Sequence, residues 1–372
     1  MKPRLVPHQD YQSFVIAQLR HHFSSGLILL CKNDWPVILK LLITDLSRVT
    51  SLLQDSYSTL GPPPRDPASL LRSYLLMLLV RPDIGVTKWV DQLNTNRLYA
   101  VLSGFEPGNV PGVGTFYDFF ARLWGKYAKS LKPQKQRRKR KAKKGNKKGE
   151  KAPTATPGRI ERLVNWMLRH LDKTAKLPSD RLFSLFHDAF LAVSAKLGLL
   201  GDVNRLSIAG DGMPVPTAAY PRSKPACDCR ARGLASCDHP RLYSQPDCDT
   251  GWDSARERYF NGYHLYTLTA ADSPYDLPLY PRLHPASRHD AVSFVLGIVE
   301  FSQRSTLGTV EKLILDSAHD ASAIYDLLLH QNTKPFIDLN VRSAKNLETG
   351  SDIRLSPQGI PICPAGLEMK HD

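Results

Sequence analysis

Two aspartates stand where the residue pattern predicts the ends of strands. In LSIAGDGMP (residues 206–214), Leu206, Ile208 and Gly210 alternate with Ser207 and Ala209, and Asp211 follows between two glycines. In VEKLILD, an apolar run leads straight into Asp316. Asp-Gly is also a common hairpin dipeptide, so a turn competes for Asp211. A turn leaves the second strand-end aspartate unexplained. In a mostly parallel sheet, residues just beyond the carboxyl ends of strands meet in a crevice where ligands bind, so Asp211 and Asp316 are expected side by side. Neighbouring carboxylates repel unless a cation lies between them. The hard, oxygen-seeking choice is Mg2+ (or Mn2+), and a two-metal site can clamp the attacking and leaving oxygens of a phosphodiester. Asp211 and Asp316 are therefore the expected catalytic and metal-binding residues.

A second candidate centre lies in CDCRARGLASCDHPRLYSQPDC, which holds Cys227, Cys229, Cys237, His239 and Cys248. Thiolates and an imidazole this close could hold a structural Zn2+ and stiffen a long polar insertion. The spacing departs from paired CxxC motifs, and free thiols on an insertion loop are the alternative. Six cysteines in 372 residues are too few for a disulfide scaffold. His264, His284, His289 and His319 are scattered near strand ends and read as ordinary polar contacts; His319, three residues past Asp316, is the one worth testing as a ligand.

The formal charge of +15 points to a polyanionic partner, because a basic protein that neutralises phosphates releases counterions. Most of the excess sits in KPQKQRRKRKAKKGNKKGEK (132–151), where twelve Lys or Arg face the single acid Glu150. Such a run repels itself and has no apolar face, so it is expected to be disordered when free and to grip DNA without reading its sequence. Its core residues Lys135, Arg137, Arg138, Lys139, Arg140, Lys141, Lys143 and Lys144 are the predicted DNA contacts; a merely solvated linker is the alternative. No charge-free apolar window is long enough to span a membrane, and MKPRLVPHQDYQ lacks the apolar core of a signal peptide. A cytoplasmic protein with no membrane partner is expected.

These residues need elements to hold them. Before the basic run the chain reads as helical: DPASLLRSYLLMLLV from Asp66, a second helix near Val86 to Leu93 after a break at Pro82 and Gly85, then a turn and a helix in NVPGVGTFYDFFARLW. Phe116, Phe119, Phe120 and Trp124 recur along one side of that last helix, either as core or as part of a DNA-docking helix-turn-helix. After the basic run, RIERLVNWMLRHLDKTAKL and DRLFSLFHDAFLAVSAKLGLL are amphipathic helices. From Arg205 the texture changes to strands: RLSIAG, YHLYTLTA, LPLYPRLHP, VEKLILD and KPFIDLNV. Helices separate the third strand from the fourth and the fourth from the fifth. This order predicts an α/β fold.

The strand order, with IAGDG ending the first strand, FNGYHLYTLT opening the second and LILDSAHDASAIYDLLLHQNTKPFIDLNVRS spanning the fourth and fifth, resembles the ribonuclease-H-like catalytic domain of DDE transposases from bacterial insertion sequences. Upstream, VTKWVDQLNTNRLYAVLSGFEPGNVPGVGTFYDFFARL is similar to their helical N-terminal region, and the likeness covers most of residues 66–345. It implies an all-α DNA-binding domain over 1–131, the basic linker over 132–157, and a ribonuclease-H-like mixed sheet flanked by helices over 158–345, with the Cys-rich insertion at about 217–260. It further implies DNA cleavage and strand transfer, with terminal inverted repeats and target DNA as partners and a homo-oligomer assembled on DNA. Asp211 and Asp316 correspond to the first two catalytic acids. The family's third acid, a Glu on a helix beyond the fifth strand, has no counterpart: Glu348, Asp352 and Glu368 lie in a Gly- and Pro-rich stretch without helical periodicity. Residues 346–372 look like the start of a further insertion, so a truncated copy with impaired activity is expected. A DNA-binding remnant without chemistry and another nuclease of the same fold are the alternatives.

Overall fold

The computed structural model describes residues 1–124, 157–171, 177, 179–220, 245, 247–340, 354–358, 360–362 and 368. The predicted DNA contacts from Lys135 to Lys144 and the residues Cys227, Cys229, Cys237, His239, Glu348 and Asp352 lie outside this set. The chain divides into two compact units, one formed by Met1–Pro133 with Ala175–Leu199 and the other by Gln134–Thr174 with Leu200–Asp372. The stretch 175–199, read from sequence as leading into the sheet, thus clusters with the first unit. Its amphipathic pattern demands a core without saying which one.

The described elements of the first unit are helices: α1 (His8–Ser24), α2 (Asp34–Ile43), α3 (Arg48–Leu53), α4 (Pro67–Val80), α5 (Val86–Thr95), α6 (Arg97–Ser103) and α7 (Val113–Trp124). After α8 (Arg159–Leu168), which belongs to the second unit, come α9 (Asp180–Phe186) and α10 (Ala192–Lys196), joined by one π-helical turn. Local chemistry sets the boundaries. Asp66 caps α4, accepting from the Ala68 and Ser69 N–H groups at 3.2 and 3.0 Å, with Pro67 in the first turn, where its missing N–H costs nothing. Phe116 and Phe119 of α7 are fully buried with Trp89 of α5, so the aromatic stripe builds core. The Trp89 indole N–H donates to Ser73 Oγ at 2.9 Å, which satisfies the one polar atom that the ring carries inside.

The second unit is α/β, with a mixed six-stranded sheet flanked by helices. The strands of this sheet are β1 (Leu206–Pro216), β2 (Asp249–Asp253), β3 (Arg258–Ala270), β4 (Pro278–Pro285), β5 (Val310–Leu315) and β6 (Lys334–Ile337), and the α-helices that follow β4 are α11 (Asp290–Arg304) and α12 (Ser322–His330). The order is β2-β3-β1-β5-β6, and β4 also pairs with β3. β3 runs antiparallel to β1, β2 and β4, whereas β1, β5 and β6 are mutually parallel. All five expected strands form. β3 starts at Arg258, before the expected strand start at Tyr263, and its extension pairs with β2, which the charged segment GWDSARERYF conceals at sequence level.

α11 packs on β1, β3 and β4, α12 on β6, and α8 on both α11 and α12. On the α11 side, the Gly210 position of β1 faces Tyr266, Leu268 and Leu315, and Tyr266 meets Phe294 of α11. Side chains alternate across a strand, so Asp211 points to the opposite face, where Met213, Leu283, Ile314 and Phe336 are exposed.

Candidate active site

β1 and β5 are paired with Gly210 opposite Leu315, the last pair of their ladder, so Asp211 in β1 and Asp316 just past β5 are the next residues on two adjacent parallel chains. The same step on β6 reaches Asp338, whose N–H donates to the Leu315 carbonyl at 3.2 Å. All three aspartates are exposed and line one open cavity of about 670 Å³, together with Ile314, Phe336 and Tyr325. Asp338 was not singled out from sequence, although FID repeats the pattern of LILD.

β1 does not turn at Asp211. It continues to Pro216, with Asp211 opposite Thr267 of β3. The flanking glycines answer a packing demand on the other face. A Cβ at Gly210 would lie 2.7 Å from the Tyr266 hydroxyl and 2.9 Å from Leu315; one at Gly212 would lie 2.3 Å from the His264 ring and 2.5 Å from Asp290. Neither glycine adopts left-handed backbone.

Beneath β1 lies a buried polar network. The His264 ring sits 2.5 Å from Asp290 at the start of α11. Burial works against charge on Asp290, but the adjacent His264 ring and the nearby His319 and His289 hold its carboxyl below the usual range. Tyr266 is 1% exposed, and burial together with the charges of Asp290, Asp211 and Asp316 pushes its hydroxyl well above the usual value. His319 is fully buried between the Tyr266 oxygen, 2.8 Å from Nε2, and Asp316 Oδ1, 2.5 Å from Nδ1. The Tyr266 hydroxyl can donate to Nε2, and Nδ1 faces the carboxylate, which can only accept when ionised. The Ala318 N–H also donates to Asp316 Oδ1, at 3.2 Å. Asp211 Oδ1 accepts only from the adjacent Gly212 N–H, at 2.7 Å, among the described residues.

Two exposed carboxylates on neighbouring strands are hard oxygen donors, which suits a cation that completes its shell with water and phosphate oxygens, as Mg2+ does. Among the described residues, no three His, Cys, Asp or Glu side chains are gathered to hold a metal ion. Cys248, the described member of the cysteine cluster, is buried beside Ala219 and Tyr263, and burial raises its thiol pKa. Glu368 forms an isolated bridge with Ile362. Of the scattered histidines, His289 caps α11, accepting from the Ala291 N–H at 3.3 Å, and His284 is buried on β4. No described helix is long and apolar enough to cross a membrane.

Comparison with protein-family models, curated proteins and solved structures yields no match. The functional reading therefore rests on the geometry.

Proposed function

We propose that the second unit is a ribonuclease-H-like catalytic core that cleaves and joins DNA phosphodiesters with Mg2+, as DDE transposases of insertion sequences do, and that the helical first unit and the basic run bind the DNA. The observation that carries this reading is the register of β1 and β5, which brings Asp211, inside β1, and Asp316, one residue past β5, to matching steps on one open cavity. The order of the five principal strands supports it: the first is central, on one side lies the second, antiparallel to it, with the third antiparallel to the second, and on the other side lie the fourth and fifth, parallel to the first.

Asp211 and Asp316 would hold Mg2+, whose contribution when bound is to stabilise charge on the attacking and leaving oxygens. The chain's own residues set the stage for this. Asp211 is fixed by its place inside a paired strand, and Asp316 by the hydrogen bonds to its Oδ1. The cavity opens on the sheet face where Ile314 and Phe336 are exposed, and a polymer such as DNA needs that access more than a small metabolite would. The basic run supplies sequence-independent attraction to phosphates. The described residues include no glutamate-bearing helix after β6, so the third acid of this reading is unassigned.

The test is Mg2+-dependent nicking and joining of plasmid DNA by the full chain, with Asp211→Asn and Asp316→Asn beside it. Each variant should lose about 10³-fold in rate, the several kcal/mol expected for removal of a metal ligand, without weaker DNA binding. Variants that nick as the parent does would overturn the assignment. A parent that binds DNA but never nicks it would favour a DNA-binding protein without chemistry.

A further inference from the structure

Asp211 and Asp316 differ in what restrains them. Among the described residues, the side chain of Asp211 meets only its neighbour's N–H, whereas Asp316 is tied through the His319 ring to a tyrosine on a strand two positions away in the sheet. His319 is 0% exposed and lies edge-on to both Tyr266 and Phe294, with ring centroids 5.8 and 5.6 Å away, so its orientation is set by packing on two sides. Both ring nitrogens are engaged, Nε2 by the Tyr266 hydroxyl and Nδ1 by Asp316 Oδ1. The imidazole is thereby held as a one-way connector from the Tyr266 hydroxyl to Asp316 Oδ1. Oδ2 has no hydrogen bond among the described residues. Gly210 belongs to the same device, because a Cβ there would displace the Tyr266 hydroxyl.

We infer that His319 is a positioning residue, oriented by Tyr266, that fixes the rotamer of Asp316 and commits Oδ1 so that Oδ2 is presented to a divalent cation in the cavity. The inference rests on the reading of Asp211 and Asp316 as cation ligands. A partner of this kind orients a ligand and raises its basicity, and its loss commonly reduces metal affinity 10- to 100-fold.

The experiment uses the full chain and Mn2+ as the probe, with affinity read from electron paramagnetic resonance of the free ion, a signal independent of turnover. Four variants are compared with the parent. Asp316→Asn tests the underlying reading and should weaken Mn2+ binding the most. His319→Leu removes the donor and should weaken binding at least 10-fold. His319→Asn returns an N–H near the position of Nδ1 and should recover most of that loss. Tyr266→Phe keeps the ring and removes only the hydroxyl, and should weaken binding several-fold; in the parent, nitrogen-15 spectra of His319 should show the Nδ1–H form, which Tyr266→Phe should perturb. Thermal melting checks that each variant is folded. Unchanged Mn2+ binding in Asp316→Asn would overturn the cation site itself. A loss in Asp316→Asn together with parent-like binding in Tyr266→Phe and His319→Leu would overturn the positioning role alone. An equal loss in His319→Leu and His319→Asn would do the same, because only packing would then matter.

Discussion

The two faces of the β1–β3–β4–β5 sheet reverse the usual distribution of polarity. The face under α11 carries His264, Tyr266, Arg282, His284 and, from the helix, Asp290 and Glu300, among buried leucines. The opposite face displays Met213, Leu283, Ile314 and Phe336 to solvent, and the last two line the cavity with the aspartates. Burial of polar groups costs free energy unless each finds a partner, so the covered face must be tightly specified, while the open face tolerates change. The covered side thus fixes positions, and the open side leaves the carboxylates accessible.

Four outcomes would break or sharpen this contrast. The largest effect is expected from Arg282→Met. It removes the partner of Glu300, whose side chain is 8% exposed and also accepts from the Tyr280 hydroxyl at 3.0 Å. Leaving that carboxylate buried without its cation should cost about 3–5 kcal/mol in urea unfolding, and a loss under about 1 kcal/mol would show that the face is looser than argued. Gly212→Ala comes next. Its methyl overlaps the His264 ring and Asp290, so overpacking should cost about 1–3 kcal/mol; a neutral result would mean that the pair moves freely.

The third outcome concerns pH. Burial, reinforced by Arg282, Arg288 and His264, pushes the His284 imidazole down to about 2. The unfolded chain protonates this residue near 6.5 and the native state does not, so its contribution is complete above pH 6.5. It is lost as pH falls toward 2, by up to about 1.4 kcal/mol per pH unit. His284→Gln should flatten the stability profile between pH 6 and 4, as followed by urea midpoints, and an unchanged slope would remove His284 as its source. The smallest effects belong to the open face. Ile314→Thr and Phe336→Ser should each change stability by about 0.5 kcal/mol or less, and losses above about 2 kcal/mol would mean that this face is covered in the folded protein.

The sequence revealed the frame better than the reasons behind it. Asp211 and Asp316 stood out because an acid interrupts an apolar alternation, and the five main strands and the helices between them followed from period and punctuation. The hidden part is what lies between distant residues. Tyr266 and His319 are 53 positions apart, and neither one's type or local pattern announces a hydrogen bond to the other. The glycines around Asp211 looked like turn chemistry because local preference is all that a dipeptide displays; their cause is a ring and a hydroxyl on a different strand. β2 was missed because Asp253, Arg256, Glu257 and Arg258 obscure the strand signal, and Asp338 because one residue of its pattern attracts no notice without its neighbours in register.

Gly210 and Gly212 also shape what a genetic screen of this protein would report. Any side chain at either position drives into the network that orients the tyrosine, the histidine and, through them, Asp316. In a saturation library scored only by activity, positions 210, 211 and 212 would be depleted together and would read as one catalytic tripeptide. Scoring the same library for folded abundance would separate them, with substitutions at 210 and 212 lost from the folded pool and most polar substitutions at 211 retained. The apparent size of an active site in such a map thus depends on which trait is selected.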